Sequence, residues 1–339
     1  MSDQLPQRAA PPAEATVPGR HLGLTWRPLA PADLDDLQAL SERCEEVDRP
    51  LTRMSRARLE EMLARPATGM KADSLGGFDS AGTLRAAAFV HAPSGDETHA
   101  RVFIGASVDP TWRGRGIGRA LLTWQDDRAR QILATLDPRL PGRIASYVDE
   151  HLDDRRRLYA AAGFCPLRTY REMRLRLTAE PAAVPVPEGY EIRQWTPELD
   201  DAVRRAHNEA FRDHWGSQPV DEGTWAARRR DLEPAWSVVA VHQGSGEVAG
   251  YALTARREHE WEVLGHSEGY TELLGVLRPH RGAGLARAML ASVLAALHRD
   301  GIEVAALDVD LENPSGAYHF YERMGYEPQG ANILYTIEV

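Results

Sequence analysis

The chain has 339 residues, 43% of them hydrophobic, a formal net charge of −10 and two cysteines. The excess of acid argues against nucleic acid as the main partner, because phosphate contacts need clustered cations, and it fits a cationic small molecule better. No apolar run approaches the roughly 18–20 residues of a membrane span, and Cys44 and Cys165 stand far apart in no metal-ligand spacing, so we expect reduced thiols, no metal and a cytoplasmic location.

The first residues, MSDQLPQRAAPPAEATVPGR, are rich in Pro and Ala and lack the apolar core of a signal peptide, so a disordered tail is expected over residues 1–20. LTWRPL (Leu24 to Leu29) then alternates like an opening strand, and PADLDD from Pro31 is an acidic helix start. RVFIGASV (Arg101 to Val108) reads as a strand that leads into PTWRGRGIGRALL (Pro110 to Leu122), where apolar residues Ile117, Ala120, Leu121 and Trp124 take up helical spacing. A helix carrying Tyr159 and a strand, CPLRTYREMRL (Cys165 to Leu175), close this first domain, placed at residues 21–178.

The proline-rich residues 179–189 read as a linker, and the second domain, 190–339, repeats the scheme. YEIRQW (Tyr190 to Trp195) opens it, PELDD from Pro197 starts a helix, YTELLGV (Tyr270 to Val276) is the strand, and PHRGAGLARAML (Pro279 to Leu290) is the glycine loop and its helix. Aligning Arg113 with Arg281 gives an offset of 281 − 113 = 168, which also pairs Gly116 with Gly284 and Gly118 with Ala286.

A glycine turn that exposes the unpaired N–H groups of a helix start makes a socket for phosphate. The P-loop requires G-K-[ST], whereas Gly118 precedes Arg119 and Ala120, and the third glycine of the dinucleotide-binding fingerprint is missing from both copies. What matches is R-x-x-G-x-[GA], beside the bland reading of a ligand-free strand-to-helix turn. With this motif the chain resembles the GNAT superfamily of acyl-CoA-dependent N-acyltransferases. Its closing helix, with a Tyr four residues before Gly-Phe or Gly-Tyr, is similar to Tyr159, Gly163 and Phe164, and to Tyr321, Gly325 and Tyr326 with Asn313 ahead of them. The tandem layout is similar to that of the mycothiol synthases.

The resemblance implies an α/β (α+β) fold of two tandem GNAT domains, each a mixed, largely antiparallel sheet flanked by helices. It implies acetyl-CoA, or another short acyl-CoA, bound in the second domain by Leu274, Val276, Arg281, Gly282, Ala283, Gly284, Leu285, Ala286 and Asn313. The corresponding residues of the first domain are Val108, Arg113, Gly114, Arg115, Gly116 and Gly118.

Acetyl transfer to an amine needs a base for the ammonium proton and an acid for the departing thiolate. Glu272 stands on the strand before the second loop, where such enzymes commonly place a carboxylate, and is expected as the base or else as a solvated strand charge; Tyr321 is expected as the proton donor, with Tyr318 as its rival, or else as a packed aromatic. Unless a bulge intervenes, period-two alternation puts Glu272 on one face with Leu274 and Val276. The offset places Ile104 at the matching position of the first domain, so we expect a catalytic second domain and a first without turnover, whether or not it binds the cofactor. Asp213, His214 and Trp215, with Asp221 and Glu222 nearby, are candidates for a small, cationic or sugar-like amine, or simply form a solvated loop with an anchoring Trp. An acyl-CoA sensor and a peptide or protein N-acetyltransferase are the alternatives; the expected assembly is a monomer with a pseudo-dimeric domain pair.

Overall fold

A computed structural model describes residues 4–64, 73–93, 95–212 and 215–339. The chain forms two compact units, Met1–Thr169 with Ala331–Val339, and Tyr170–Gly330.

The first unit begins with a helix, α1 (Leu5–Ala9), followed by β1 (Thr25–Arg27), α2 (Leu34–Asp48), α3 (Arg56–Ala64), β2 (Ser74–Phe78) and β3 (Leu84–His91). Then come β4 (Ala100–Val108), α4 (Ile117–Leu133), β5 (Gly142–Asp149), α5 (Asp153–Ala161) and the start of β6 (Cys165–Arg176). In the second unit β6 is followed by β7 (Tyr190–Gln194), α6 (Asp200–Ala210), α7 (Glu222–Arg228), β8 (Val238–His242), β9 (Val248–Arg256) and α8 (Glu258–Leu264). β10 (Glu268–Val276), α9 (Leu285–Arg299), β11 (Val304–Asp310), α10 (Ala317–Arg323) and β12 (Glu327–Glu338) complete the chain.

Each unit is a mixed sheet flanked by helices. In the first, β1, β2, β3 and β4 are antiparallel neighbours, and β4 runs parallel to β5. In the second, β7, β8, β9 and β10 repeat the antiparallel run and β10 runs parallel to β11. Both parallel ladders are short. β4 pairs with β5 only from Ala100 to Phe103, and β10 with β11 only from Glu268 to Tyr270, after which the two strands of each pair part.

The helix after each glycine loop supplies much of the core. α9 buries Leu285, Met289, Leu290, Val293, Leu294 and Leu297, one stripe of a 3.6-residue period, each worth ~1.5–3 kcal/mol of transfer free energy. α4 does the same with Ile117, Leu121, Leu122, Trp124 and Leu133.

Two expectations are corrected. The amino-terminal segment is not a tail: Leu5 and Ala9, four apart on one face of α1, are fully buried with Leu121 and Leu133. Arg8 Nη2 donates to the Leu140 carbonyl at 2.7 Å, and Pro6 sits in the first helical turn, where its missing N–H costs nothing. The unit boundaries also fall inside strands rather than at the proline-rich segment, which forms no helix or strand. β6 pairs with β11 from Tyr170 to Arg176 within the second unit, and β12 pairs with β5 from Asn332 to Glu338 within the first. The sequence reading placed Cys165 to Leu175 as the closing strand of the first domain, but a strand pattern carries no information about its partner.

Candidate active site

Each glycine loop needs glycine at two places. Gly114 and Gly116 have φ of 77° and 85°, Gly282 and Gly284 of 81° and 87°, the left-handed region where a side chain is strained. Gly116 and Gly284 are also the N-caps of α4 and α9, so the free N–H groups of the first turn open onto the loop with the positive end of the helix dipole behind them. Leu285 is buried as the first residue of α9, while Gly282 and Ala283 are exposed on the loop.

The two arginines of the motif brace this turn. Arg113 Nε donates to the Val108 carbonyl and Arg281 Nε to the Val276 carbonyl, both at 3.0 Å. Beyond that they differ. Arg113 forks onto Asp48 at 2.6 and 2.8 Å, whereas Arg281 Nη2 reaches the Ala210 carbonyl, at the end of α6, at 3.1 Å. Arg115 packs over the Trp112 ring at 4.5 Å. Both motif arginines therefore fix the loop's shape, and the N–H groups of the helix's first turn are left facing the loop.

In the first unit the loop opens on a cavity of about 720 Å³, lined by Ala106 and Val108 of β4, Gly114, Gly116 and Gly118 of the loop, and Tyr159 of α5. In the second unit a cavity of about 350 Å³ lies between Gly284, Arg287 and the proline-rich stretch from Ala183 to Pro187.

The strands before the loops differ where chemistry is expected. β4 pairs with β3 in unbroken register from His91↔Phe103 to Ala86↔Val108, and Ile104 is buried in the core. β10 carries a bulge: Thr271 faces Thr254 and Leu273 faces Leu253, so Glu272 is the extra residue. Leu274 and Val276 share a face against the α9 core, but Glu272 does not continue it, which corrects the strict alternation. Instead Glu272 forms an ion pair with Arg257, at the junction of β9 and α8, and stays about one-third exposed. The Arg257 guanidinium lies 4.8 Å from the Tyr270 ring centroid and 3.7 Å from Glu260. Burial alone would lower its pKa; Glu272 and Glu260 outweigh that and hold it above the usual arginine value. Tyr270 hydrogen-bonds to Asp308 on β11. Desolvation pushes the Asp308 carboxyl up, and that hydrogen bond opposes it.

Tyr321 approaches from the other strand. α10 follows β11, and the Tyr321 ring meets Tyr326 at 5.9 Å beside Leu307 and Val309. Burial pushes its hydroxyl up to about 12. Tyr318, the rival donor, hydrogen-bonds to Glu322 of its own helix. Tyr159, its counterpart in the first unit, is buried and accepts a hydrogen bond from the Ser146 hydroxyl at 2.9 Å. Asn313 is set in a turn, its side-chain oxygen accepting from the Ser315 N–H at 2.9 Å.

Of the acceptor candidates, Asp213 and His214 lie outside the described residues, and Trp215 is half-buried. Asp221 accepts from the Thr224 N–H at 2.7 Å, an N-cap of α7, and this hydrogen bond holds its carboxyl below the usual range. The sequence reading missed Arg257, Tyr270 and Asp308. The available signal was Tyr270, two residues before Glu272; nothing local ties Arg257 to either.

Parting strands that end at a glycine-capped helix form a slot and an anion socket suited to a long, phosphorylated thioester, the substrate-binding architecture of an acyltransferase. The Acetyltransferase (GNAT) family model matches residues 201–326. Mycothiol acetyltransferase of Frankia alni is 30% identical over 345 residues, covering 92% of this chain and 94% of that protein, and that of Salinispora arenicola is 30% identical over 258 residues, covering 74% and 77%. Among solved structures, a GCN5-related N-acetyltransferase from Sphaerobacter thermophilus shares the fold with a TM-score of 0.79 at 24% identity, over 95% of this chain and 97% of its own. A tandem GNAT protein from the clavulanic acid biosynthesis pathway superposes with a TM-score of 0.69 at 20% identity, over 93% and 98%. The chain belongs to the GNAT acetyltransferase family. It is an N-acetyltransferase of tandem architecture that draws its acyl group from an acyl-CoA.

Proposed function

We propose that the chain transfers an acetyl group from acetyl-CoA to the primary amine of a small, cationic or sugar-like acceptor, by direct attack in a ternary complex, and that the second unit performs the transfer. The observation that carries this reading is the bulge in β10. It brings a carboxylate to the place where β10 and β11 part, directly before a helix-capping glycine loop, and β4 has neither the bulge nor the carboxylate. The relatives' name, mycothiol acetyltransferase, favours an acetyl group and a small-molecule acceptor over a protein.

Bound acetyl-CoA supplies the activated carbonyl. The N–H groups from Gly282 to Ala286 and the dipole of α9 hold its pyrophosphate, and Leu274 and Val276 line the pantetheine path. Glu272 takes the proton of the acceptor ammonium, directly or through one water, so that the nitrogen lone pair is free to form the new C–N bond. As the C–S bond breaks, the neutral Tyr321 hydroxyl provides the proton for the thiolate. The first unit offers the same socket without a base. With Ile104 where the second unit has Glu272, this unit holds acyl-CoA without turnover.

The test is thiol release from acetyl-CoA with a panel of amines that includes glucosamine, amino acids and a peptide N-terminus, in wild type and Glu272→Gln. We expect turnover with one of the small amines, and a loss in Glu272→Gln of about 10²-fold or more at low pH. That loss should shrink as pH rises and solvent deprotonates the amine. Turnover with the peptide alone, or a loss equal at every pH, would overturn the acceptor class or the role of Glu272 respectively.

A further inference from the structure

We infer that Arg257 is a positioning residue for the transfer, holding the bulged Glu272 carboxylate in place from behind; this rests on the reading of Glu272 as the base. A bulge residue stands outside the ladder on both sides, so its side chain is not fixed by cross-strand neighbours as the rest of β10 is. Glu272 is about one-third exposed, and a glutamate so placed has several staggered rotamers to choose from. Arg257 removes that freedom.

Three observations show that Arg257 is itself held. Its guanidinium lies over the Tyr270 ring at 4.8 Å, it has a second carboxylate, Glu260, at 3.7 Å, and its side chain is only 24% exposed. A planar guanidinium can stack with its face on Tyr270 while an Nη at its edge donates to Glu272, a geometry that lysine does not reproduce. The Tyr270 ring is anchored in turn by its hydroxyl on Asp308, so the arrangement runs from β11 through Tyr270 and Arg257 to Glu272 on β10, spanning the point where the two strands part. The charged and titratable groups facing this arrangement are Glu260 from α8 with His259 3.9 Å from it, Tyr270 and Glu272 from β10, Asp308 from β11, and Arg174 from β6, which acts on Asp308. Arg257 is the cation they share next to Glu272. It lies on no motif of either glycine loop or closing helix, and its counterpart region in the first unit has no bulge to serve.

The test is a double-mutant cycle in the full chain, read by thiol release with acetyl-CoA and glucosamine. We expect Arg257→Gln to lower kcat by about tenfold or more, with KM for acetyl-CoA within about twofold. If Arg257 acts through Glu272, adding Arg257→Gln to Glu272→Gln should cost little further, because the group that it positions is already gone. Arg257→Lys, the variant that keeps the charge and is the fallback if the glutamine variant misfolds, should recover only part of the loss, because a lysine does not rebuild the planar stack on Tyr270. An undiminished kcat in Arg257→Gln, or full additivity of the two changes, would overturn the positioning role while leaving Glu272 as base. Full turnover by Glu272→Gln would overturn both.

Discussion

Tyr159 and Tyr321 occupy corresponding places in the two closing helices, and their surroundings separate them. Tyr159 is buried and receives a hydrogen bond from Ser146 on β5, and its strand partner at the Glu272 position is Ile104. Tyr321 is raised to about 12 by burial alone, which keeps its proton in place across the neutral range and for well over a pH unit above it. The direction matters: a raised phenol is a donor that loses its proton only as pH climbs towards that value, so Tyr321→Phe should lower turnover by about 10²- to 10⁴-fold with a deficit that is flat between about pH 6 and pH 9. Tyr159→Phe removes one buried hydrogen bond and should cost about 1 kcal/mol in denaturant unfolding. A pH–rate profile of each variant, with unfolding curves beside it, separates the two roles. Equal losses of turnover in both would mean that both closing helices act on the chemistry.

At the scale of elements, the glycine loops were readable because everything that makes them is local. Two left-handed glycines, a bracing arginine and an apolar helix follow one another within a dozen positions. The bulge in β10 was not readable, since YTELLGV and RVFIGASV have the same length under the 168-residue offset and the extra residue shows only against the partner strand. Arg257 was hidden for a related reason: it meets Glu272 across β9 and β10, fifteen positions away. Asp221, which looked like part of an acidic acceptor loop, is used as a helix cap. The loops also carry an expectation of their own. Gly284 has φ of +87° and Pro187 lies 3.9 Å from where a Cβ would stand, so Gly284→Val strains the turn and narrows the socket together. Isothermal calorimetry with acetyl-CoA should find two binding events per chain in wild type and one in Gly284→Val, whose turnover should be lost. Two undiminished events in the variant would remove the second loop from the cofactor site.

The whole molecule is divided in a way that neither half of the sequence announces. Cutting at the proline-rich segment looks natural, yet it would leave β6 with the first half and β12 with the second, while the pairings require the opposite for most of each strand. In the first unit, β12 covers β5 from Arg143 to Asp149, Val339 exchanges backbone hydrogen bonds with Gly142 at 2.8 and 3.0 Å, and the buried Arg143 pairs with Glu338 at 2.6 Å. A chain ending at Gly330 would lose that whole ladder. It would expose β5 as an edge, take Glu338 away from Arg143, and remove Tyr335, which is buried against Tyr159, so that Tyr159 is uncovered on that side. We therefore expect truncation after Gly330 to destabilise the first unit although every deleted residue belongs to the far end of the sequence. Hydrogen exchange should show β4 and β5 amides losing protection by about 10²-fold or more, with β9 and β10 much less affected, because local opening tracks the contacts removed. Supplying the peptide of residues 331–339 in excess should restore part of the protection if the strand acts through pairing alone. Loss of protection confined to β10 and β11 would place the carboxy-terminal strand in the second unit after all, and the crossing of the chain within β12 would have to be abandoned.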